Sequence, residues 1–182
     1  MRLKAQPIRT KARQPGMGGY IWVGLLDQFD VIHKPLATGT GTVAGDEGVI
    51  TGTHTFIVPL VSPPTTNGLI KIPLIPTKSG KFGFKTEGDY PAEKIVSDIE
   101  AMAVGLSKID IEMIKRLKGQ PIIAFVQDAE CDDETIYQVG CDCKPVDSMK
   151  FEFSSDNNEL KITMKAECIV NEYAGALTLF VP

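Results

Sequence analysis

Three of the four cysteines of this 182-residue chain fall in one short acidic stretch, AECDDETIYQVGCDCKP, at residues 129–145. Thiolates bind zinc-like metal ions, and paired thiols take part in redox chemistry, so this stretch is where the sequence comes closest to chemistry. Structural zinc usually takes four ligands from two closely spaced pairs. Here Cys141 and Cys143 are separated by one residue, while Cys131 and Cys168 stand singly. A C-x-x-C redox motif does not occur.

The acidic stretch is most simply interpreted as a hairpin turn and its returning strand, in which the thiols act as small apolar residues. If Cys141 and Cys143 lie on a strand, both side chains point to the same face of the sheet. Zinc binding and a disulfide are the alternatives, and both draw on the same four residues, Cys131, Cys141, Cys143 and Cys168. The acids of DAECDDE lack the regular spacing of a calcium loop and predict a solvated turn. We therefore expect no metal and no other cofactor.

Other motifs with a known chemistry are missing from the sequence. The run GTGTVAG carries Gly39, Gly41 and Gly45 and so misses the G-x-G-x-x-G spacing of a dinucleotide-binding loop. Neither a phosphate-loop lysine pattern nor the nucleophile motif G-x-S-x-G occurs. His33 and His54 have no acid or nucleophile pattern beside them and are expected to be surface or hydrogen-bonded residues. We predict that the protein is not an enzyme.

Charge is distributed unevenly along the chain. The formal net charge is −4, from 19 basic and 23 acidic residues. The first twenty residues contain five basic residues and no acid, which leaves 14 basic against 23 acidic residues and a net charge of −9 in the remainder. The basic residues of this N-terminal arm are Arg2, Lys4, Arg9, Lys11 and Arg13.

A basic arm on an acidic body has three interpretations. It is a solvated terminus, or it docks on an acidic surface such as another copy of the same body. Nucleic acid is the third partner, although five charges without interleaved aromatic residues make a weak footprint for it.

The N-terminal part of the chain is not suited to membrane insertion. The apolar run YIWVGLLDQF is interrupted by Asp27 and is much shorter than the ~20 residues of a membrane span. The pattern of a signal peptide does not occur. Four cysteines in a chain of this length fit a reducing compartment, where they persist as thiols. We expect a soluble protein that is made in the cytoplasm and has no membrane partner.

The periodicity of the sequence predicts a mainly β fold. Its 17 glycines and 12 prolines favour turns over long helices. The runs SMKFEFSS and ELKITMKAECIV alternate apolar and polar residues, which is typical of a sheet that is buried on one face and wet on the other. PIIAFVQDAE and ETIYQVG flank the acidic turn and predict another antiparallel hairpin. We expect an antiparallel β-sandwich or barrel with one helical excursion packed on the sheet.

The helical excursion is expected at about residues 91–118, as one or two helices. Pro91 suits a first helical position, and apolar residues then recur at helical spacing. These residues are Ile95, Val96, Ile99, Met102, Ala103 and Leu106. A second short helix is predicted in KIDIEMIKRLKG, where Gly119 closes it.

The chain is expected to consist of the basic arm, residues 1–18, and a single β-rich domain, residues 19–182. A long loop rich in threonine and glycine is expected within the domain at about residues 36–54. No internal repeat or linker predicts a second domain.

The order of elements over residues 69–170 resembles that of virion structural proteins of tailed phages, tail-tube proteins in particular. The resemblance is carried by the strand KFGFKTEGD, the helical region 91–117, the hairpin PIIAFVQDAECDDETIYQVG and the strand pair MKFEFSSDNNELKITMKAE. It implies a non-enzymatic subunit whose sandwich or barrel joins its strands to those of neighbouring copies in a ring. Head–tail neck or connector rings and capsid decoration proteins share this pattern and remain alternatives.

The resemblance also implies partners and a location. Long loops and a terminal arm lock neighbouring rings of such proteins together, and an acidic lumen lets DNA slide through. The expected partners are therefore other copies in a ring or tube, neighbouring virion proteins and, non-specifically, DNA. The expected location is the virion, assembled in the host cytoplasm. A monomeric β-domain that binds a ligand or zinc is the alternative from a different class.

Overall fold

The computed structural model describes residues 17–35, 49–57, 67–75, 80–89, 93–104, 108–128, 135–156, 158–168 and 170–179. The basic residues of the arm, Cys131 and most of the predicted Thr/Gly loop lie outside these ranges. In the part of the chain that is described, no helix is both long and apolar enough to cross a membrane.

The fold is mainly β, as predicted. The described strands are β1 (Met17–Leu25), β2 (Phe29–Val31), β3 (Val49–Ile50), β4 (Thr55–Phe56), β5 (Ile70–Pro73), β6 (Lys81–Glu87), β7 (Lys94–Val104), β8 (Ile122–Asp128), β9 (Ile136–Val139), β10 (Val146–Ser154), β11 (Glu159–Ala166) and β12 (Asn171–Tyr173). Helix α1 (Lys108–Leu117) lies between β7 and β8, and a short 3-10 turn, Leu26–Gln28, joins β1 to β2.

Strand pairing closes on itself around a core. β5 pairs with β1, β1 with β8, β8 with β10, β10 with β11 and β11 with β7, all antiparallel. A bridge between Leu74, directly after β5, and Ala103 of β7 joins the two ends of this series. This closed series of strands, called the circuit below, is barrel-like. The pairing between β8 and β10 is its shortest strand contact, since only Ile122 and Val146 pair there. β9, β12 and β3 extend the sheet from β8, and β2 pairs with β4 separately.

Buried apolar side chains form two clusters in the described residues, and β8 contributes to both. Ile122, Ala124 and Val126 belong to the cluster inside the circuit, whereas Ile123 and Phe125 belong to the other. All five side chains are completely buried. Because successive residues of a strand point to opposite faces, one apolar strand can supply two cores.

Both predicted hairpins are confirmed. β8 pairs antiparallel with β9, and β10 pairs antiparallel with β11 over nearly its whole length. Along β11 buried residues alternate with partly exposed ones, and the buried ones are Leu160, Ile162, Met164 and Ala166. The alternation read from the sequence therefore identifies the buried face of this hairpin correctly.

The first predicted helix, starting at Pro91, is wrong, because this stretch forms strand β7 instead. Alternate residues over 97–103 are buried where β7 pairs with β11, as a strand requires. Val96 is also buried, although it lies on the opposite face. The buried positions Val96, Ile99 and Ala103 therefore follow one another at intervals of three and four residues and imitate the spacing of a helix.

The second predicted helix is confirmed as α1. Leu117 is fully buried in the cluster inside the circuit, and Ile114 packs against the same cluster. The helix ends where Gly119 adopts a φ of +71°, a conformation that glycine reaches without strain.

Two glycines of the β6 region give a matched test of the backbone geometry. Gly80 has a φ of +105°, and a Cβ added there would collide with the carbonyl oxygen of Glu100 on β7. Gly83, three residues later, has no atom within 4 Å of such a Cβ. We predict that Gly80→Ala lowers the free energy of unfolding by about 1–3 kcal/mol, because both the dihedral angle and the clash must be relieved. Gly83→Ala should leave it within about 1 kcal/mol of the original value or raise it.

Urea unfolding followed by circular dichroism measures both glycine variants. Equal midpoints for Gly80→Ala and Gly83→Ala would contradict the close approach of Gly80 to β7.

Candidate functional site

The Cys-Asp-Cys turn, residues 141–143, lies between the end of β9 and the start of β10. The Sγ atoms of Cys141 and Cys143 are 3.4 Å apart, and the backbone N–H of Cys141 donates a hydrogen bond of 3.0 Å to the carbonyl oxygen of Lys144. Cys143 is exposed and Cys141 is half-buried. The prediction that these cysteines lie on a returning strand is wrong, because β9 ends at Val139 and the thiols occupy the turn that follows it.

Cys168 lies behind this turn, in the bend after β11. Its Sγ accepts a hydrogen bond of 3.1 Å from the backbone N–H of Gly140. Burial raises the pKa of the Cys168 thiol above its usual value, so this side chain stays protonated. Cys168 is thus a partly buried, hydrogen-bonded residue that packs against the cluster inside the circuit, and it fits the role of a small apolar residue that the sequence predicted for the cysteines.

Charged side chains surround the Cys-Asp-Cys turn. Lys34 Nζ lies 3.1 Å from Asp142 Oδ2, and this hydrogen bond holds the pKa of Asp142 below its usual value. Glu167 accepts hydrogen bonds from Lys94 and Lys144. The Sγ atoms of Cys141 and Cys143 and a carboxylate oxygen of Asp142 all lie within 4.8 Å of one another. Two thiols and a carboxylate at this spacing are able to bind one metal ion.

A buried hydrogen-bond network lies on the other side of Gly140. His54, 3% exposed, holds its Nε2 atom 2.6 Å from Gln138 Oε1, and its Nδ1 atom accepts a hydrogen bond from the backbone N–H of His33. These partners require the tautomer with the proton on Nε2. Tyr173 OH accepts a hydrogen bond from the backbone N–H of His54. His54 is therefore a hydrogen-bonded core residue, one of the two roles expected for it.

The pKa of His54 is lower than the 6.5 of a free histidine, mainly because burial disfavours the charged imidazolium. Below pH 6.5 the unfolded chain then binds a proton that the folded protein does not, so stability falls as the pH falls. We predict that the urea midpoint is constant above pH 7 and falls between pH 6.5 and pH 5 because of this histidine. Midpoints measured at half-unit steps from pH 5 to pH 8 test the prediction.

His54→Gln should flatten this pH dependence while lowering the midpoint at pH 7.5. His33→Gln, at an exposed position, is the matched control and should keep most of the slope, because burial rather than repulsion by His33 is the main cause of the lowered pKa of His54. An identical slope in the His54→Gln variant and in the unmodified protein would show that another group causes it.

The second feature of interest is a four-stranded sheet in the order β10-β11-β7-β6. β6 is its last strand and, within the described residues, has no partner on the side away from β7. β10 is the outer strand at the opposite side, since beyond Val146 it pairs with β11 and with no other described strand. Within the part of the chain that the structure describes, the sheet therefore has two open edges, one along each outer strand.

Each open edge carries an exposed aromatic residue. Phe84 on β6 is 60% exposed, and Phe153 on β10 is 44% exposed. Phe84 pairs with Ser97, Phe153 pairs with Leu160, and Leu160 pairs with Ala103. Ser97 and Ala103 are an even number of residues apart on β7, and paired residues share a face, so both aromatic rings lie on the same face of the sheet.

The opposite face of the four-stranded sheet is charged. Ion pairs join neighbouring strands, with Lys161 Nζ 2.7 Å from Glu100 and Lys85 Nζ 3.5 Å from Asp98. Hydrogen bonding to Lys161 lowers the pKa of Glu100. These pairs are exposed and contribute little to the free energy of unfolding, but they favour the observed register. Gly83 leaves an open groove of about 470 Å³ between Lys85 and its neighbours on this face.

The structure brings together only part of what the sequence singled out. Cys141, Cys143 and Cys168 lie around Gly140, whereas Cys131 and the basic residues of the arm lie outside the described residues. The two open edges were not predicted. The aromatic residues in KFGFKTE and MKFEFS fit an ordinary half-buried strand, and only the pairing of the strands shows that these positions lie at edges.

The chain has no match among protein-family models, characterised proteins or solved structures.

Proposed function

We propose that this protein is a non-enzymatic structural subunit that assembles with copies of itself into a ring or tube, through the two open edges of its four-stranded sheet. The observation that carries the proposal is that, among the described residues, β6 and the part of β10 beyond Val146 have no strand partner on opposite sides of one sheet. A contact between two different surfaces of the same molecule is head-to-tail, and it generates a ring when its rotation closes.

The strand directions support this contact. β11 is antiparallel to both β10 and β7, and β6 is antiparallel to β7. β6 and β10 therefore run in opposite directions, and β6 of one copy placed beside β10 of the next continues the antiparallel alternation. Antiparallel pairing satisfies the exposed N–H and C=O groups of both outer strands, so it is a direct reason for two open edges to associate.

The exposed aromatic residues support the same contact. Phe84 and Phe153 lie on the same face of their sheet. A sheet that continued from β6 into the neighbouring β10 would bring both rings toward one apolar surface on that face. Full burial of a phenylalanine side chain contributes about 1.5–3 kcal/mol, and each contact in a ring would include one Phe84 and one Phe153.

The biological setting of the proposal is the tailed-phage particle, as a tail tube or a head–tail neck ring. The support is the resemblance in element order, in which only the Lys108–Leu117 part of the helical region 91–117 is a described helix, together with the basic arm and the acidic body. In this setting the arm docks on the acidic surface of the next copy, DNA passes through the lumen without specific contacts, and the protein is located in the virion. Electron microscopy of the assembled protein distinguishes the two forms, because long tubes indicate a tail tube and closed rings indicate a neck protein.

A charge placed at either edge should block assembly. We predict that the unmodified protein forms species well above 19.8 kDa as its concentration rises, whereas Phe84→Asp and Phe153→Asp each remain monomeric under the same conditions. The reason is that pairing would bury an uncompensated carboxylate in an apolar contact. Light scattering over a concentration series measures the masses. Val31→Asp, at a 43% exposed position on the separate β2–β4 pair, is the matched control and should assemble normally.

Mixing the two edge variants distinguishes head-to-tail assembly from twofold pairing. A Phe84→Asp copy still offers β10 and a Phe153→Asp copy still offers β6, so an equimolar mixture should form dimers that do not grow. A Phe153→Asp protein that dimerises by itself would indicate a β6–β6 contact and overturn the ring proposal. An unmodified protein that stays monomeric at every concentration would overturn assembly through these edges altogether.

Deletion of residues 1–15 gives an independent prediction about the arm. We expect the truncated protein to assemble at least tenfold less well than the full chain at low salt, because docking of five basic residues on an acidic body is lost. The circular dichroism spectrum and urea midpoint should not change. Assembly as efficient as that of the full chain would remove the arm from the proposal.

A further inference from the structure

We propose that Cys141, Asp142 and Cys143 form a binding site for one zinc-class divalent cation. The two Sγ atoms are 3.4 Å apart, and a carboxylate oxygen of Asp142 lies within 4.8 Å of both. Zinc binds sulfur at about 2.3 Å and carboxylate oxygen at about 2.0–2.2 Å. A tetrahedral ion at those distances needs its two sulfur ligands about 3.8 Å apart, so the thiols have to separate by only about 0.4 Å.

The backbone of the turn holds these ligands in place before any ion binds. Gly140, directly before Cys141, accepts a hydrogen bond of 2.9 Å from Gln138 Nε2 and donates one of 3.1 Å to Cys168 Sγ. The hydrogen bond from Cys141 N–H to Lys144 O closes the other side of the turn. A fixed backbone lowers the ordering cost of binding, because the ligand atoms already lie close to one another.

Cys168 supports the site rather than joining it. Its sulfur accepts the Gly140 N–H, and it is not part of the group of ligand atoms that lie within 4.8 Å of one another. The site therefore supplies two thiolates and one carboxylate, and since Cys143 and Asp142 are exposed, water completes the coordination.

The ligand set selects the class of ion. Thiolates favour zinc and similar borderline ions, whereas magnesium and calcium prefer sites made of oxygen atoms. Binding forms two metal–sulfur bonds and releases the two thiol protons to the buffer. Two thiolates and a carboxylate then carry three negative charges, and the ion carries two positive charges. Lys34 lies close enough to Asp142 to compete with the ion for that carboxylate.

Cobalt(II) is the probe that tests the site, because thiolate–cobalt bonds give a charge-transfer absorption in the near ultraviolet. The reduced, full-length protein should bind one Co²⁺ per chain with this absorption, and Zn²⁺ should displace it. Cys141→Ser and Cys143→Ser should each weaken binding at least tenfold, and the double variant should lose the absorption. Asp142→Asn should weaken binding less, and Lys34→Met should strengthen it several-fold.

Cys168→Ser is the matched control, because serine can still accept the hydrogen bond from Gly140. It should keep both the stoichiometry and the absorption. The proposal is overturned if the reduced protein gives no absorption with Co²⁺, if the Cys141/Cys143 double variant binds Co²⁺ as the unmodified protein does, or if Cys168→Ser abolishes binding while leaving the circular dichroism spectrum unchanged. These outcomes are independent of assembly, since Phe84→Asp should bind Co²⁺ normally.

Discussion

Strand β8 is buried on both of its faces, and this burial determines which elements must lie against it. The run Ile122–Val126 contains no polar side chain, so it must be covered on two sides, and its alternate residues do contribute to two different clusters. β1 occupies one edge of β8. β9 and then β10 occupy the other edge in succession, because Val139 pairs with Ala124 and Val146 pairs with Ile122. Burial of β8 therefore accounts for the positions of its three neighbours, β1, β9 and β10.

Both functional features follow from the way β9 and β10 share that edge. The pairing of β9 with β8 ends at Val139, and the chain pairs with β8 again at Val146, the first residue of β10. The segment between these two residues contains the Cys-Asp-Cys turn. Because Ile122 is the first residue of β8, the rest of β10 runs past this end of β8, and β11 is its only partner among the described strands. The Cys-Asp-Cys turn and the open edge of β10 thus both follow from the pairing of β9 and β10 with the same edge of β8.

The other open edge has a similar origin on β7. Ala103, near the end of β7, meets Leu74, while β6 pairs with the earlier part of the same edge. β6 thus extends beyond the closed circuit of strands. Lysines on edge strands commonly protect against unwanted pairing, and β6 carries Lys81 and Lys85. Lys85 is paired with Glu87 and Asp98 on the charged face, whereas Phe84 lies exposed on the other face.

The sequence predicts local features of this fold better than those that depend on distant contacts. The β10–β11 hairpin was predictable because one of its faces is wet, so polarity alternates along both strands. β7 was not, because Val96 is buried on the face opposite to Ile99, and burial on both faces removes the alternation. The turn position of Cys141 depends on Val146 pairing with Ile122, and the exposure of Phe84 depends on what does not pair with β6. Neither of these long-range features can be recognised from the residues that surround Cys141 or Phe84 in the sequence.

In the proposed ring, closure depends on the angle between the two contact surfaces, so the direction in which β10 leaves the body of the protein would matter. The backbone of Gly140, ahead of β10, is held by two hydrogen bonds. Gln138 joins its carbonyl oxygen to the buried His54, and Cys168 joins its N–H to the bend after β11. His54 lies against Phe125 in one cluster, and Cys168 packs against the other cluster. Gly140, at the start of the turn that leads to β10, is thus connected to both clusters.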